Sequence, residues 1–133
     1  MEVLEKKNEG GLWTLKARIS SPRKAEVLFV SVDGASEVVS ASVNGKQIDS
    51  SGDPSLSAPG ARWSVIFYAP DPEGVELQLQ AKAAQPIKLV VMDRSYGLPE
   101  VGGNPVRPRP PHLMPAPFSF SDSTLVTKSF PLQ

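Results

Sequence analysis

"VELQLQAKA", residues 75–83, has the clearest strand pattern in the chain. Its apolar and polar side chains alternate without interruption: Val75, Leu77, Leu79 and Ala81 against Glu76, Gln78, Gln80 and Lys82. A period of two places each set on its own face of a β-strand. The stretch therefore predicts a strand with one face in a core and the other in water.

The same pattern recurs along the chain, with turn-forming residues in between. Strands are predicted at 12–20, 25–33, 63–68, 87–93 and 123–130, and a hairpin at 37–48 whose tight turn is Asn44-Gly45. Segment 25–33 is apolar at nearly every position, which is typical of a central strand buried on both faces. Composition predicts a loop at 49–61 and a turn at 71–74, and no window carries a helical period.

These segments predict an all-β fold, an antiparallel two-sheet β-sandwich of about seven to eight strands, with a barrel as the competing closure. The length of 133 residues fits one domain. Its parts would be main strands at 10–93, a proline-rich covering loop at 94–122 and a final strand at 123–131. The large apolar residues expected between the sheets are Trp13, Phe29, Trp63, Phe67, Leu77, Leu79 and Leu89.

The segment between the last two predicted strands carries seven prolines, five of them in "RPRPPHLMPAP", residues 107–117. Proline cannot donate to a sheet ladder, so this segment is not predicted as a strand. An ordered crossing is favoured over a disordered tether, because scattered apolar residues can anchor it: Leu98, Val101, Val106, Leu113, Met114, Phe118 and Phe120. A proline-rich ligand for a partner is the alternative.

Charge and composition exclude several classes of partner. Fourteen acidic and fourteen basic residues balance, so the overall charge attracts neither nucleic acid nor anionic lipid. The apolar runs are shorter than the roughly 20 residues of a membrane-spanning helix, and the N-terminus lacks the pattern of a secretion signal. The chain has no cysteine for disulfides or thiolate metal sites.

Candidate catalytic chemistry is sparse. His112 is the only histidine, so a zinc site has at most one imidazole ligand. A serine–histidine–acid set can be drawn from His112, Asp122 and Ser121 or Ser123, but no G-x-S-x-G turn accompanies it. We therefore predict no catalytic residue, no metal ligand and no cofactor.

Two further stretches have both a structural and a binding interpretation. "DRSYG", residues 93–97, allows an Asp93–Arg94 contact, although a turn that ends a strand is favoured over a binding site. Trp13, Trp63 and Tyr68 would form a sugar-stacking platform if they were exposed, but tryptophan in an alternating strand usually belongs to the core.

"LVVMDRSYGLP" at 89–99, the following "RP" and "MPAP" stretches and "FSDSTLVTKSF" at 120–130 resemble the C-terminal soluble region of membrane-anchored, zinc-dependent aminopeptidase-like proteins of the endoplasmic-reticulum metallopeptidase type. "WTLKARISSP" and "SVNGKQI" are compatible with it. The resemblance implies a strand-rich extracytoplasmic domain beside a peptidase. The family's metal ligands and membrane helices have no counterpart in this sequence.

The expected function is therefore a non-catalytic accessory domain that docks on the parent peptidase domain or on peptide substrate. Contact with the membrane would occur only through other parts of the parent chain. A carbohydrate-binding β-sandwich module is the alternative, and an independent enzyme would need a cleft around His112. The expected interaction surface consists of Arg94, Tyr96, Leu98, Arg107, Arg109, His112, Met114 and Phe118.

Overall fold

The structure, a computed structural model, describes residues 1–32, 36–48, 63–101, 103–107, 109–114 and 121–132. All regular secondary structure in this part of the chain is β-strand. The strands are β1 (Glu2–Glu9), β2 (Leu12–Ile19), β3 (Val27–Val32), β4 (Glu37–Val43), β5 (Lys46–Ile48), β6 (Trp63–Tyr68), β7 (Val75–Lys82), β8 (Lys88–Tyr96), β9 (Glu100–Val101), β10 (Asn104–Pro105) and β11 (Ser123–Pro131).

Two antiparallel sheets form the body of the protein. One has five strands in the order β1-β2-β7-β4-β5, and the other has four in the order β11-β8-β3-β6. Separate sheets of this kind confirm the predicted all-β sandwich rather than a barrel, with nine strands where seven to eight were expected. Within the described ranges, no helix is long and apolar enough to cross a membrane.

The core lies between the sheets, and the alternation of β7 fixes its position. Val75, Leu77, Leu79 and Ala81 are buried, while the intervening side chains face outward. Trp13 and Trp63 join the same buried cluster, which also contains Leu89. Burial of one such leucine contributes roughly 1.5–3 kcal/mol relative to exposure, so this layer is the main stabilising term.

β3 is buried along its whole length, as predicted for 25–33. Leu28, Val30 and Val32 belong to the core cluster, so the strand period of two turns Phe29 to the opposite face of the sheet. Phe29 is thus buried outside the layer in which it was expected. Phe67 packs against the core but is only partly buried.

β1 is a strand that the sequence pattern did not predict. All eight of its side chains are exposed, so no hydrophobic period marks it. It pairs with β2 through a two-residue turn at Gly10 and Gly11, and the side-chain oxygen of Asn8 accepts a hydrogen bond from Gly11 N at 3.1 Å. The main strands therefore begin at residue 2 rather than at residue 10.

The predicted Asn44-Gly45 turn is present, with φ of 48° and 78° at its two residues. Asn44 also holds β7: its backbone N donates to Glu76 O, and its side-chain oxygen accepts from Glu76 N, each at 2.8 Å. The predicted turn at 71–74 is closed by a hydrogen bond from Gly74 N to Asp71 O. The loop predicted at 49–61 lies outside the described residues.

The predicted covering loop begins later than expected and contains a short hairpin. β8 continues to Tyr96, so residues 94–96 belong to the sheet. β9 and β10 then pair antiparallel over two residues each. The expectation that this segment contains no strand was therefore wrong at 100–105, although these strands are separate from both main sheets.

Candidate functional site

The proline-rich segment leaves and returns to the four-stranded sheet at one point. Gly97 N donates to Asp122 O at 2.7 Å, and Thr124 Oγ1 donates to Gly97 O at 2.8 Å. These bonds lie just beyond the pairing of Tyr96 with Ser123, the last pair between β8 and β11. Gly97 and Asp122, where the segment leaves and rejoins the sheet, are therefore tied to each other.

Arg109 organises the described interior of this segment. Its Nε donates to Asp122 Oδ2 at 2.7 Å, and its Nη1 donates to the carbonyl oxygen of Met114. The hydrogen bond with the guanidinium lowers the pKa of the Asp122 carboxyl and raises the pKa of Arg109. Leu113 N donates to Pro110 O at 2.9 Å, which closes a tight turn inside the span that Arg109 bridges.

Five apolar side chains between positions 96 and 114 are exposed. Met114 is 86% exposed, Tyr96 68% and Leu113 53%, and Leu98 and Val106 are also exposed. Single exposed apolar residues are ordinary on a protein surface, but a group of them on one segment is typical of a contact surface. We call this group, consisting of Tyr96, Leu98, Val106, Leu113 and Met114, the apolar segment surface.

The structure places the basic members of the expected interaction surface in different environments. The Arg94 guanidinium lies 5.4 Å from the centre of the Tyr96 ring, in cation–π contact. Arg109 is engaged with Asp122, whereas Arg107 and His112 are exposed to solvent. Phe118 lies outside the described residues.

The serine–histidine–acid set drawn from the sequence is not supported by the hydrogen bonds of its members. The carboxylate of Asp122 is bound by Arg109, and Ser123 Oγ donates to the Ser121 carbonyl at 3.4 Å. In the described ranges, no three His, Asp or Glu side chains are grouped so that they could hold a metal ion.

Asp93 makes a contact that the sequence did not reveal. It is 7% exposed, and it accepts hydrogen bonds from Ser21 Oγ at 2.7 Å and Arg23 Nη2 at 2.6 Å. Asp93 therefore contacts Ser21 and Arg23 instead of Arg94, the partner considered from the sequence, because neighbouring residues of a strand point to opposite faces. Residues 93–96 complete β8, and the predicted strand-ending turn follows at Gly97, where φ is 100°.

The two tryptophans of the candidate sugar-binding platform are not available for stacking. Trp13 and Trp63 are buried in the core, and Tyr68 alone is exposed, at 72%. The outer face of the five-stranded sheet instead has a shallow cavity of about 260 Å³ whose lining includes Ser40, Ser42, Gln78 and Gln80. Ser40 Oγ donates to Gln80 Oε1 at 3.0 Å, so part of this polar lining is satisfied internally.

Comparison with known proteins identifies no relative of this chain. The resemblance to zinc-dependent peptidases stays a prediction. No family model, curated protein or solved structure matches the chain.

Proposed function

We propose that this chain is a non-catalytic interaction domain that docks on a protein partner through the apolar segment surface. The observation that carries the proposal is the combination of exposure and anchoring. Met114 and Leu113 are presented to solvent, yet the backbone that bears them is tied to Asp122 through Arg109 and to Pro110 through the turn. A contact surface already held in one conformation loses less entropy when it binds.

The chemistry of the surface favours an apolar partner segment with a nearby carboxylate. Arg107 is exposed beside Val106 and supplies a cation at the rim. Arg109 does not serve this purpose, because its Nε and Nη1 are already bound within the segment. Aromatic, methionine and arginine side chains are the types enriched at protein interfaces, and Tyr96, Met114 and Arg107 supply one of each.

The resemblance to membrane-anchored, zinc-dependent aminopeptidase-like proteins suggests which kind of partner this surface binds. The partner is then the peptidase domain of the parent protein, or its peptide substrate, on the extracytoplasmic side of a membrane. The docking surface is defined by this chain alone, and the parent peptidase as partner is an extension that rests on the resemblance. Deletion of residues 100–117 from a peptidase parent should change peptide turnover or assembly, and unchanged kinetics and assembly would contradict this extension.

The docking proposal is tested by titrating the isotope-labelled chain with a mixture of short unstructured peptides from a casein digest and recording amide NMR shifts. We expect shifts at residues 96–98, 106–107, 109 and 112–114, and their loss in the double variant L113S/M114S. The control is Val39→Ser, which removes an apolar side chain that is 44% exposed on β4. Equal loss of binding in both variants, or no loss in the double variant, would overturn the proposal.

A carbohydrate-binding role has weaker support. Two of the three aromatic side chains on which it depended are in the core, and Tyr68 by itself offers one ring rather than a platform of several. The protein-docking proposal instead rests on five exposed side chains in one segment.

A further inference from the structure

β11 is a long edge strand whose side chains are exposed. It spans nine residues at the end of the four-stranded sheet, and among the described strands it pairs only with β8. The five consecutive residues from Leu125 to Ser129 are exposed to solvent. A strand of this kind offers a row of backbone donors and acceptors to another strand.

The hydrogen bonds at the two ends of the β8–β11 ladder establish which backbone groups are available. Gly97 N donates to Asp122 O, and Leu132 N donates to Ile87 O. Hydrogen-bonded pairs alternate along an antiparallel ladder, so the even-numbered residues of β11 bond to β8. The N–H and C=O groups of Ser123, Leu125, Thr127 and Ser129 therefore point away from the sheet.

Two of the other sheet edges, β1 and β5, are better protected against strand addition than β11. Five of the eight residues of β1 are charged. β5 has only three residues. Charges and short length are the usual protections of edge strands. β11 has a single charge, Lys128, in nine residues.

We propose that β11 pairs with β11 of a second copy of this chain, antiparallel, about a two-fold axis at Val126. This register places Ser123 opposite the partner's Ser129 and Leu125 opposite the partner's Thr127. Each of these four residues then exchanges both backbone hydrogen bonds with the facing strand. The two four-stranded sheets become one continuous sheet across the dimer.

The sequence of β11 favours this register and a second copy as the occupant. Lys128 faces the partner's Thr124 instead of the partner's Lys128, so like charges are not opposed. A two-fold axis at Thr127 would instead place Ser123 opposite Pro131, which has no N–H to donate. Self-pairing at Val126 thus uses every outward donor of the strand and leaves Pro131 outside the paired region.

Apolar residues on the neighbouring edge extend the proposed interface. Val3 and Leu4 of β1 are exposed, as are Leu125 and Val126. β1 and β11 lie on the same side of the sandwich, because Met1, Val126 and Phe130 line one cavity of about 230 Å³ between the sheets. Dimerisation along this side would remove apolar surface from water in addition to forming backbone bonds.

Single-cysteine variants test the register directly, because the chain has no cysteine of its own. Val126 and its symmetry mate form a non-hydrogen-bonded pair with Cα atoms about 4.5 Å apart, within the range that a disulfide needs. The Lys128 pair is offset by four residues, or about 14 Å, which is too far. We expect mild oxidation to cross-link V126C but not K128C, and equal cross-linking of both variants would overturn the proposal.

Sedimentation of the unmodified chain across the micromolar range tests the pairing itself. We expect a dimer, with a dissociation constant raised at least about tenfold by T127P, which removes two intermolecular hydrogen bonds by symmetry. The control T127A keeps the N–H and should dimerise like the original chain. A monomer at every concentration, including one that binds only extended peptides, or a T127P variant that still dimerises equally well, would overturn the proposal.

Discussion

Replacement of Asp93 by alanine is the change expected to reveal the largest polar contribution to stability. The Asp93 carboxylate is 7% exposed and accepts one hydrogen bond from Ser21 and one from Arg23. A hydrogen bond that involves a charged group contributes about 1.5–3 kcal/mol. Because the Arg23 side chain is 34% exposed, we take the lower end for both bonds and expect a loss of roughly 3 kcal/mol.

Chemical denaturation followed by tryptophan fluorescence is a suitable measurement, because Trp13 and Trp63 are both buried. A double-mutant cycle with R23A and D93A isolates the pair, and we expect a coupling of about 1.5 kcal/mol. Lys16 and Glu76 give a matched control on the outer sheet face, at 3.0 Å and with both side chains about one-third exposed. Their coupling should be about 0.5 kcal/mol.

The result that would refute this reasoning is a coupling for Arg23–Asp93 no larger than that of Lys16–Glu76. Burial of the carboxylate would then have no effect on the strength of the pair. A changed dependence of the unfolding free energy on denaturant concentration would instead mean that D93A alters the folded or the unfolded ensemble. The cycle is therefore interpretable only when that dependence is the same in all four proteins.

Two further predictions concern backbone geometry and pH. G74A should destabilise the protein by about 2 kcal/mol or more, because φ is +100° and the new Cβ would lie 2.8 Å from the Ile19 carbonyl oxygen; G45A, at φ +78° with open space, should cost about 1 kcal/mol. Equal losses of unfolding free energy in G74A and G45A, measured by chemical denaturation, would contradict the role of the contact with the Ile19 carbonyl. The Arg109 hydrogen bond lowers the Asp122 pKa below the ordinary value of 3.8 for this carboxyl, so this anchor is fully present above that value and is lost as pH falls through the lowered pKa. Lower protection of the Leu113 and Met114 amides on acidification, measured against the intrinsic exchange rate at each pH and absent in D122N, would verify it. A loss of protection that persists in D122N would contradict it.

The alternation of apolar residues was sufficient to predict the sandwich because burial of one face imposes that pattern on a strand. β7 has the predicted inward and outward sides along its full length, and β3 has the predicted burial on both faces. β1 escaped prediction because it buries none of its side chains, and a strand exposed on both faces has no apolar period. Only the Gly10-Gly11 turn before β2 carried a signal for it.

The polar contacts of the candidate site were less predictable, because they join residues that are distant along the chain. Asp93 bonds to Arg23, 70 positions away, rather than to its neighbour Arg94. Arg109, which was expected on the interaction surface, bonds to Asp122, 13 positions further along the chain. No periodic sequence pattern predicts such pairs, because the fold of the sheets determines which distant residues come close together.

β11 is involved in both proposals. The two can be tested separately, because successive residues of the strand direct their backbone N–H and C=O groups to opposite sides. The backbone of Asp122, just before the strand, bonds to Gly97 and anchors the proline-rich segment. Its even-numbered successors likewise face β8, whereas Ser123, Leu125, Thr127 and Ser129 face the proposed partner copy. Thr127→Pro therefore removes a donor from the dimer edge without removing a bond that holds the segment. The double variant L113S/M114S changes the segment and leaves the β11 edge intact. Loss of docking and loss of dimer pairing can therefore be distinguished by comparing the two variants.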